Sequence, residues 1–527
     1  MKIWLGHIAL LLWLLAAMVP ALAQDEPEPM ADPPEELSQP APRLTVKEIV
    51  VVGNTLLPEA DIRQAVAPYE GRELEFDELT EVVDVLEELY HQKGYFLMRA
   101  ILPAQKPLEG KVEVQVFEGR IMNVVTESNQ RYPDQFLIDH FQAHLPDSGY
   151  KQADFQKALM LLNEMPDLGV KAVFRPGSSP GSTEIVLQAV EDKQFHLGLD
   201  YNNFGTRLTG ENRIGLTGDL SSAFTPGDRL LARSVFGFPS ENTAFVQAAY
   251  SFPVGDLGTR LGFAYANGTY TAGREVAILD IRGAANVYSL SVEHPLVRSL
   301  THSSDVFLNL SYNDIDNTIL GLPLSNDFYT AANLGYRASW RDTSGRSLLR
   351  SSVTQGLGGL VAGDPRASRA GAGADFFKAN LDLARIQEFN PSVFGILRGT
   401  MQYSGTPLFS AEQFALGGPD TVRGFGQAEA LGDQAYNLTA ELRWSPLEEQ
   451  KDLFQTVFFV DTGGIVRKNP QPGEKGSVHL TGAGFGFRVN PDGGHTRIRL
   501  DLGFPITPAR NARGNSPVIY GQVQTRF

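Results

Sequence analysis

A chain of 527 residues with a net charge of -16 offers no basic patch for nucleic acid, and with no cysteine it uses neither disulfides nor thiol chemistry. Beyond the N-terminal leader no stretch reaches the ~18 apolar residues of a spanning helix, so a chain that leaves the cytoplasm can cross a membrane only as a closed barrel. Residues 1–23 read as a secretory signal peptide: Met1-Lys2, an apolar run from Ile8 to Val19, then Ala21-Leu22-Ala23 before Gln24. Residues 24–43 are rich in Pro and Glu without apolar periodicity, which predicts a solvated tether.

Two small units of one build follow. In residues 44–119 a strand at Val46 to Val52 enters a turn at Gly53-Asn54, and helices are predicted at Pro58 to Ala67 and Asp77 to Lys93. The second helix puts Leu79, Val82, Val83, Leu86, Leu89 and Tyr90 on one side and stops at Gly94. Strands at Tyr95 to Leu102 and Gly110 to Glu118 close the unit. Residues 120–193 repeat the order: Ile121 to Glu127, helices Pro133 to His144 and Gln152 to Glu164, then strands Gly169 to Arg175 and Ser182 to Val190.

Residues 194–527 alternate apolar and polar side chains in sixteen segments, from Gln194 to Asn203 at the start to Val518 to Phe527 at the end, which predicts an antiparallel barrel facing lipid on one side and water on the other. Leu438, Ala440, Leu442 and Trp444 stand against Asn437, Thr439, Glu441 and Arg443; Ile498, Leu500 and Leu502 stand against Arg497, Arg499 and Asp501. The fold class is thus an all-β transmembrane barrel preceded by two small α+β domains. With the N-terminal units on the inner side, even connections should be short turns, as Arg341 to Gly345 and Asn490 to Gly494 are. Odd connections should be longer, as are Gly268 to Gly283 and Leu357 to Gly373; Pro239 to Glu241 is a short exception. The longest, residues 404–433, is Gly-rich and suited to folding back into the lumen.

That loop carries Gly417-Gly418-Pro419-Asp420-Thr421-Val422-Arg423-Gly424-Phe425, and a later strand carries Phe459-Val460-Asp461-Thr462-Gly463. The two motifs, in this order before a terminal aromatic strand, resemble the outer-membrane superfamily that includes BamA and the two-partner secretion transporters. "VVVGNTLLPEADI" and "YHQKGYFLMRAILP" are similar to the wording of POTRA domains, and two such units point to the haemolysin and filamentous-adhesin exporters of type V secretion. Glu293-His294-Pro295-Leu296-Val297-Arg298-Ser299, expected at a periplasmic turn, also matches that family's habit.

The resemblance implies a loop-to-wall contact of Arg423 with Asp461, with Val422, Gly424 and Phe425 around it on the loop and Phe459 and Gly463 on the wall. Strand parity agrees, since Phe458 and Val460 facing lipid would turn Asp461 inward, where a guanidinium suits a carboxylate better than Lys would. The resemblance further implies an outer-membrane exporter in a Gram-negative bacterium with its POTRA-like domains in the periplasm. It would pass an unfolded client with an N-terminal secretion domain, without nucleotide hydrolysis or cofactor. Partners besides the client would be outer-membrane lipid and, during biogenesis, the barrel-assembly machinery, which would read Phe527. The edge strand Tyr95, Phe96, Leu97, Met98, Arg99, Ala100, Ile101 and Leu102 is the candidate for client capture by strand addition. Pro27, Pro29, Pro33, Pro34, Pro40 and Pro42 argue against a plug helix in the tether.

Two other functions compete. A BamA-type insertase would release membrane proteins through the seam of the barrel, and fits two POTRA-like units poorly; a solute porin leaves residues 44–193 without a purpose. Enzyme readings find no support: the nine histidines do not cluster at metal-ligand spacing, no Gly-x-Ser-x-Gly is present, and Gly482 to Gly486 lies on a predicted strand, where glycines thin the wall or make room inside.

Overall fold

The computed structural model describes residues 43–106, 109–179, 181–238, 243–447, 450–508 and 516–527. The predicted signal peptide, nearly all of the tether and the connection at Pro239 to Glu241 lie outside these residues. The first compact unit holds most of the first POTRA-like domain. Its elements are β1 (Leu44–Val46), β2 (Glu48–Val52), α1 (Glu59–Val66), β3 (Arg72–Leu74), α2 (Phe76–Gln92), β4 (Met98–Ile101) and β5 (Lys111–Glu118). The sheet order is β2–β5–β4, with β2 and β5 parallel, so the strand after the second helix does lie at an edge. β1 and β3 form a further small antiparallel pair that the sequence reading missed. Val46, Leu74, Val82 and Leu86 are fully buried, the apolar stripe of α2 meeting strand residues of matching parity.

The second unit continues with β6 (Arg120–Glu127), α3 (Asp134–Gln142), α4 (Gln152–Leu162), β7 (Leu168–Pro176) and β8 (Ser182–Glu191), in sheet order β6–β8–β7. Leu137, Phe141, Ala158, Leu162, Ile185 and Leu187 make its core. Phe96 is packed against it, edge-on to Phe155 at 5.2 Å and Phe174 at 5.4 Å.

The barrel opens with β9 (Phe195–Asn202), β10 (Asn212–Ser221), β11 (Arg229–Phe238), β12 (Ala244–Val254), β13 (Thr259–Thr271) and β14 (Arg282–Arg298). β15 (His302–Ile319), β16 (Leu322–Asp342), β17 (Gly345–Gly359), β18 (Phe377–Asn390) and β19 (Val393–Ser404) follow. After the loop pair β20 (Phe414–Leu416) and β21 (Ala430–Gly432), the wall resumes with β22 (Gln434–Trp444), β23 (Phe454–Val466), β24 (Ser477–Val489), β25 (Thr496–Pro505) and β26 (Val518–Arg526). These sixteen wall strands close, β26 pairing with β9 from Gln522↔Asn202 to Arg526↔Gly198. The Asn203 side chain prolongs that seam, accepting from Gly521 N at 2.8 Å and donating to Ile519 O at 2.9 Å.

Two expectations need correction. The sequence alternation predicts strands at Ser304 to Asn313 and Asp327 to Trp340 with an outer loop between them; instead β15 and β16, at 18 and 21 residues, exceed the ~9–11 a membrane strand needs and meet at the tight turn Leu320-Gly321, so this odd connection is a long protruding hairpin and not a loop. Glu293 to Arg298 is not a turn: it is the end of β14, bent by a bulge between Pro295 and Val297. Near the outer end of the wall, Tyr329, Leu360, Phe376, Leu408 and Phe409 form an apolar cluster that draws two long loops together.

Candidate functional site: an arginine loop against the barrel wall

Residues 405–433 leave β19 and return to β22, and midway the chain lies against the wall. Val422 and Phe425 are buried there in a cluster with Leu416, Ala430, Ile465, Val478 and Leu480. The approach depends on glycine. Gly424 has φ +101°, a conformation costly for other residues, and a Cβ there would meet the backbone of Phe504 at 2.8 Å. On the wall, Gly482 leaves no room for a side chain beside the Arg423 carbonyl oxygen, so the glycines of β24 do make space inside. The Tyr520 hydroxyl accepts from Gly424 N at 3.0 Å and donates to Phe425 O at 2.5 Å, tying the loop to the last strand.

Arg423 is 3% exposed and reaches Asp461 with a two-pronged contact, Nε to Oδ2 at 2.7 Å and Nη2 to Oδ1 at 3.0 Å. Its own amide adds a third bond to Asp461 Oδ2 at 3.1 Å. The guanidinium carbon lies 3.4 Å from the centre of the Phe459 ring, so one face is covered by an aromatic. Asp461 is fully buried while its neighbours Phe458 and Val460 are each 51% exposed, the inward parity expected of this strand.

The pair is not isolated. Arg423 Nη1 also donates to Glu441 Oε2 at 3.0 Å and lies 3.6 Å from Asp501 Oδ2. Glu441 accepts from Arg443 at 2.6 Å; Asp501 accepts from Arg488 at 2.6 Å and Arg499 at 2.8 Å. Arg499 then returns to the loop, donating to Pro419 O at 2.6 Å. Four guanidiniums thus surround three carboxylates from β22, β23 and β25. The motif reading missed Glu441 and Asp501, although alternation places both on the inward sets. Gly463, the remaining wall residue of the motif, gives room to Leu416, whose Cδ1 would lie 2.6 Å from an added Cβ.

The capture candidates are split by the structure. Only Met98–Ile101 is strand; Tyr95, Phe96, Leu97 and Leu102 are not. Phe96 is spent on the second domain's aromatic cluster, and the Lys151 ammonium sits 5.2 Å from the Tyr95 ring centre. On β4, Met98 and Ala100 are buried, whereas Arg99 and Ile101 are exposed. Nearby, burial alone would push the Glu118 carboxyl up, but hydrogen bonds from the Thr55 hydroxyl and amide, the Leu56 amide and the Tyr90 hydroxyl hold it below its usual range. Phe527 follows β26, with its amide donating to Leu197 O at 2.8 Å and its ring exposed outward like Ile519 and Val523.

Among the described residues no group of three or more His, Cys, Asp or Glu side chains could hold a metal ion.

Residues 181–489 match the family described as haemolysin secretion/activation protein ShlB/FhaC/HecB, and residues 44–119 match the ShlB-type POTRA domain. The outer membrane transporter CdiB of Dickeya dadantii is 26% identical over 76% of this chain and 73% of its own length. The heme/hemopexin transporter protein HuxB of Haemophilus influenzae is 21% identical over 88% and 83%. The solved structure of CdiB from Escherichia coli superposes with a TM-score of 0.73 at 21% identity, covering 94% of this chain and 92% of that one, and shares the fold. With the family match spanning more than half of its 527 residues, the chain belongs to the ShlB/FhaC/HecB haemolysin secretion/activation family, the outer-membrane transporters of two-partner secretion, whose POTRA domains stand in the periplasm.

Proposed function

We propose that this transporter exports an unfolded partner protein through its own lumen, past the Arg423 loop, with no nucleotide hydrolysed and no cofactor used. The client's N-terminal secretion domain is caught in the periplasm by strand addition to β4 or β7, where main-chain hydrogen bonds give affinity without demanding a sequence. Folding of the client outside makes passage directional. The observation that carries this reading is the loop itself: a chain segment bound to the inner wall by buried charges can be displaced by a passing polypeptide and then return.

A porin does not require two periplasmic domains, and an insertase requires a seam that parts, whereas here Asn203 extends the seam beyond its ladder. The chain's own insertion would be guided by the barrel-assembly machinery through Phe527, and outer-membrane lipid would cover the exposed apolar set. The test is co-expression with a secreted protein that carries an N-terminal secretion domain of the two-partner kind. Client should appear in the medium only with the transporter present, and export should persist for client already in the periplasm when cytoplasmic ATP is depleted. Client in the medium without the transporter contradicts the reading.

A further inference from the structure

The Glu293 to Ser299 segment has no part in the lumen loop, yet its arginine is among the best-held side chains of the periplasmic rim. On β14, Tyr288 and Leu290 face outward, so an uninterrupted strand would turn Arg298 outward as well. The bulge prevents this. Pro295 pairs with Asp305 and Val297 with Ser304, so Leu296 is the extra residue and everything after it changes face. Leu296 and Val297 remain exposed, and the Arg298 side chain is only 7% exposed.

Turned inward, Arg298 bridges two parts of the molecule. On the barrel it donates to Asp305 Oδ1 at 2.5 Å and to Ser304 O at 2.9 Å. On the second POTRA domain it donates to both oxygens of Glu164, just past α4, at 2.5 and 3.0 Å. Two further pairs join the domain to the barrel: His196 at the start of β9 meets Asp167 at 2.8 Å, and His140 of α3 lies 3.3 Å from Asp256 in the β12–β13 turn. Gly258 in that turn is crowded by Pro295 and Leu161, and Gly227 by Met165 and Phe136, so the barrel turns are shaped to the domain's helices.

We infer that the bulged end of β14 is a docking socket whose Arg298 fixes the second POTRA domain on the barrel rim, and that this positioning delivers the client to the lumen. Arg298 is a positioning residue that acts through Glu164 and Asp305 and touches no client. Arg suits the task because a planar fork can serve two carboxylates at once, and an ammonium cannot do so with the same geometry.

The lack of native cysteine makes a direct test available. Spin labels on cysteines replacing the exposed Lys171, on β7, and Thr343, in the β16–β17 turn, report the domain-to-rim distance in the full-length protein by pulsed electron resonance. The parent should give one narrow peak. Arg298→Ala should lose it to a broad spread; Glu164→Gln, a surface change that leaves the barrel intact, should broaden it too, and Arg298→Lys should fall between. A peak as narrow as the parent's in Arg298→Ala or in Glu164→Gln overturns the socket. Broadening in Glu164→Gln with export equal to that of an exporting parent overturns the delivery role, and leaves the export reading itself standing.

Discussion

Removing the Arg423 side chain takes the counter-charge from one carboxylate and spares two. Glu441 keeps Arg443, and Asp501 keeps Arg488 and Arg499, whereas Asp461 loses both guanidinium bonds and keeps only the one from the residue-423 amide. Breaking a buried pair from one side costs ~3–5 kcal/mol; the polar surroundings favour the lower end, about 3 kcal/mol. At ~1.4 kcal/mol per decade, that raises the population of released loop roughly a hundredfold. Asp461→Ala should do less, about tenfold or below by the same measure, because Arg423 retains Glu441 at 3.0 Å and can draw on Asp501. The same geometry argues against rescue by exchange: Arg423→Asp with Asp461→Arg would set the new carboxylate beside Glu441 and Asp501, so the simple two-residue contact implied by the motifs does not describe this site. The assay uses Val422→Cys, buried in the parent loop, as the sole cysteine. Its maleimide labelling rate should rise roughly in proportion to the released population, while heat-modifiable barrel in the membrane stays level. A labelling rate in Arg423→Ala equal to the parent's would refute the pinning argument.

Three more outcomes are expected. Burial, with Lys157 and His140 nearby, lowers His144 from its ordinary 6.5 to about 4, so unfolding gains a proton between those values; the second POTRA domain should lose stability as pH falls from 6.5 toward 4. Hydrogen exchange in α3 should show this, and His144→Gln should flatten the dependence; equal slopes in both would disprove the assignment. Deleting Phe527 removes an outward aromatic and the bond to Leu197 O, and should reduce folded barrel in the outer membrane, read as heat-modifiable protein; an unchanged amount contradicts its role in assembly. For strand addition, Met98 is too buried to test cleanly, so Arg99→Pro should impair export more than Arg99→Ala at equal protease resistance, and equal export by the two would end the idea.

The barrel was legible because one physical rule, lipid on one side and water on the other, writes a period of two into each wall strand. The rule fails where both faces meet water. In the protruding hairpin Asn326 bonds to Asp316 across the strands and polar residues occupy both parities, so β15 and β16 read as shorter than they are. The Glu293 to Ser299 phrase was expected at a turn, because its residue types alone do not reveal whether the chain bulges or reverses there. At the site, motifs led to Arg423 and Asp461, while Glu441 and Asp501 were visible only as inward positions; which inward charges converge depends on the curvature of the wall, which no local pattern encodes. Tyr95 to Leu97 carried a strand-like pattern, and their tertiary packing against α4 and Lys151 overrode it.

The proposed export requires passage of a polypeptide through the lumen. Asn333 and Ser352 lie on the inward parity of β16 and β17, and their neighbours Leu334 and Val353 face outward, 51% and 42% exposed. A client halted in transit by a stable C-terminal fold can be probed with a photo-crosslinker at each of the four positions in turn. Crosslinks from Asn333 and Ser352, and none from Leu334 and Val353, are the predicted result. Crosslinks confined to the outward pair, or found only along the β9–β26 seam, would contradict it.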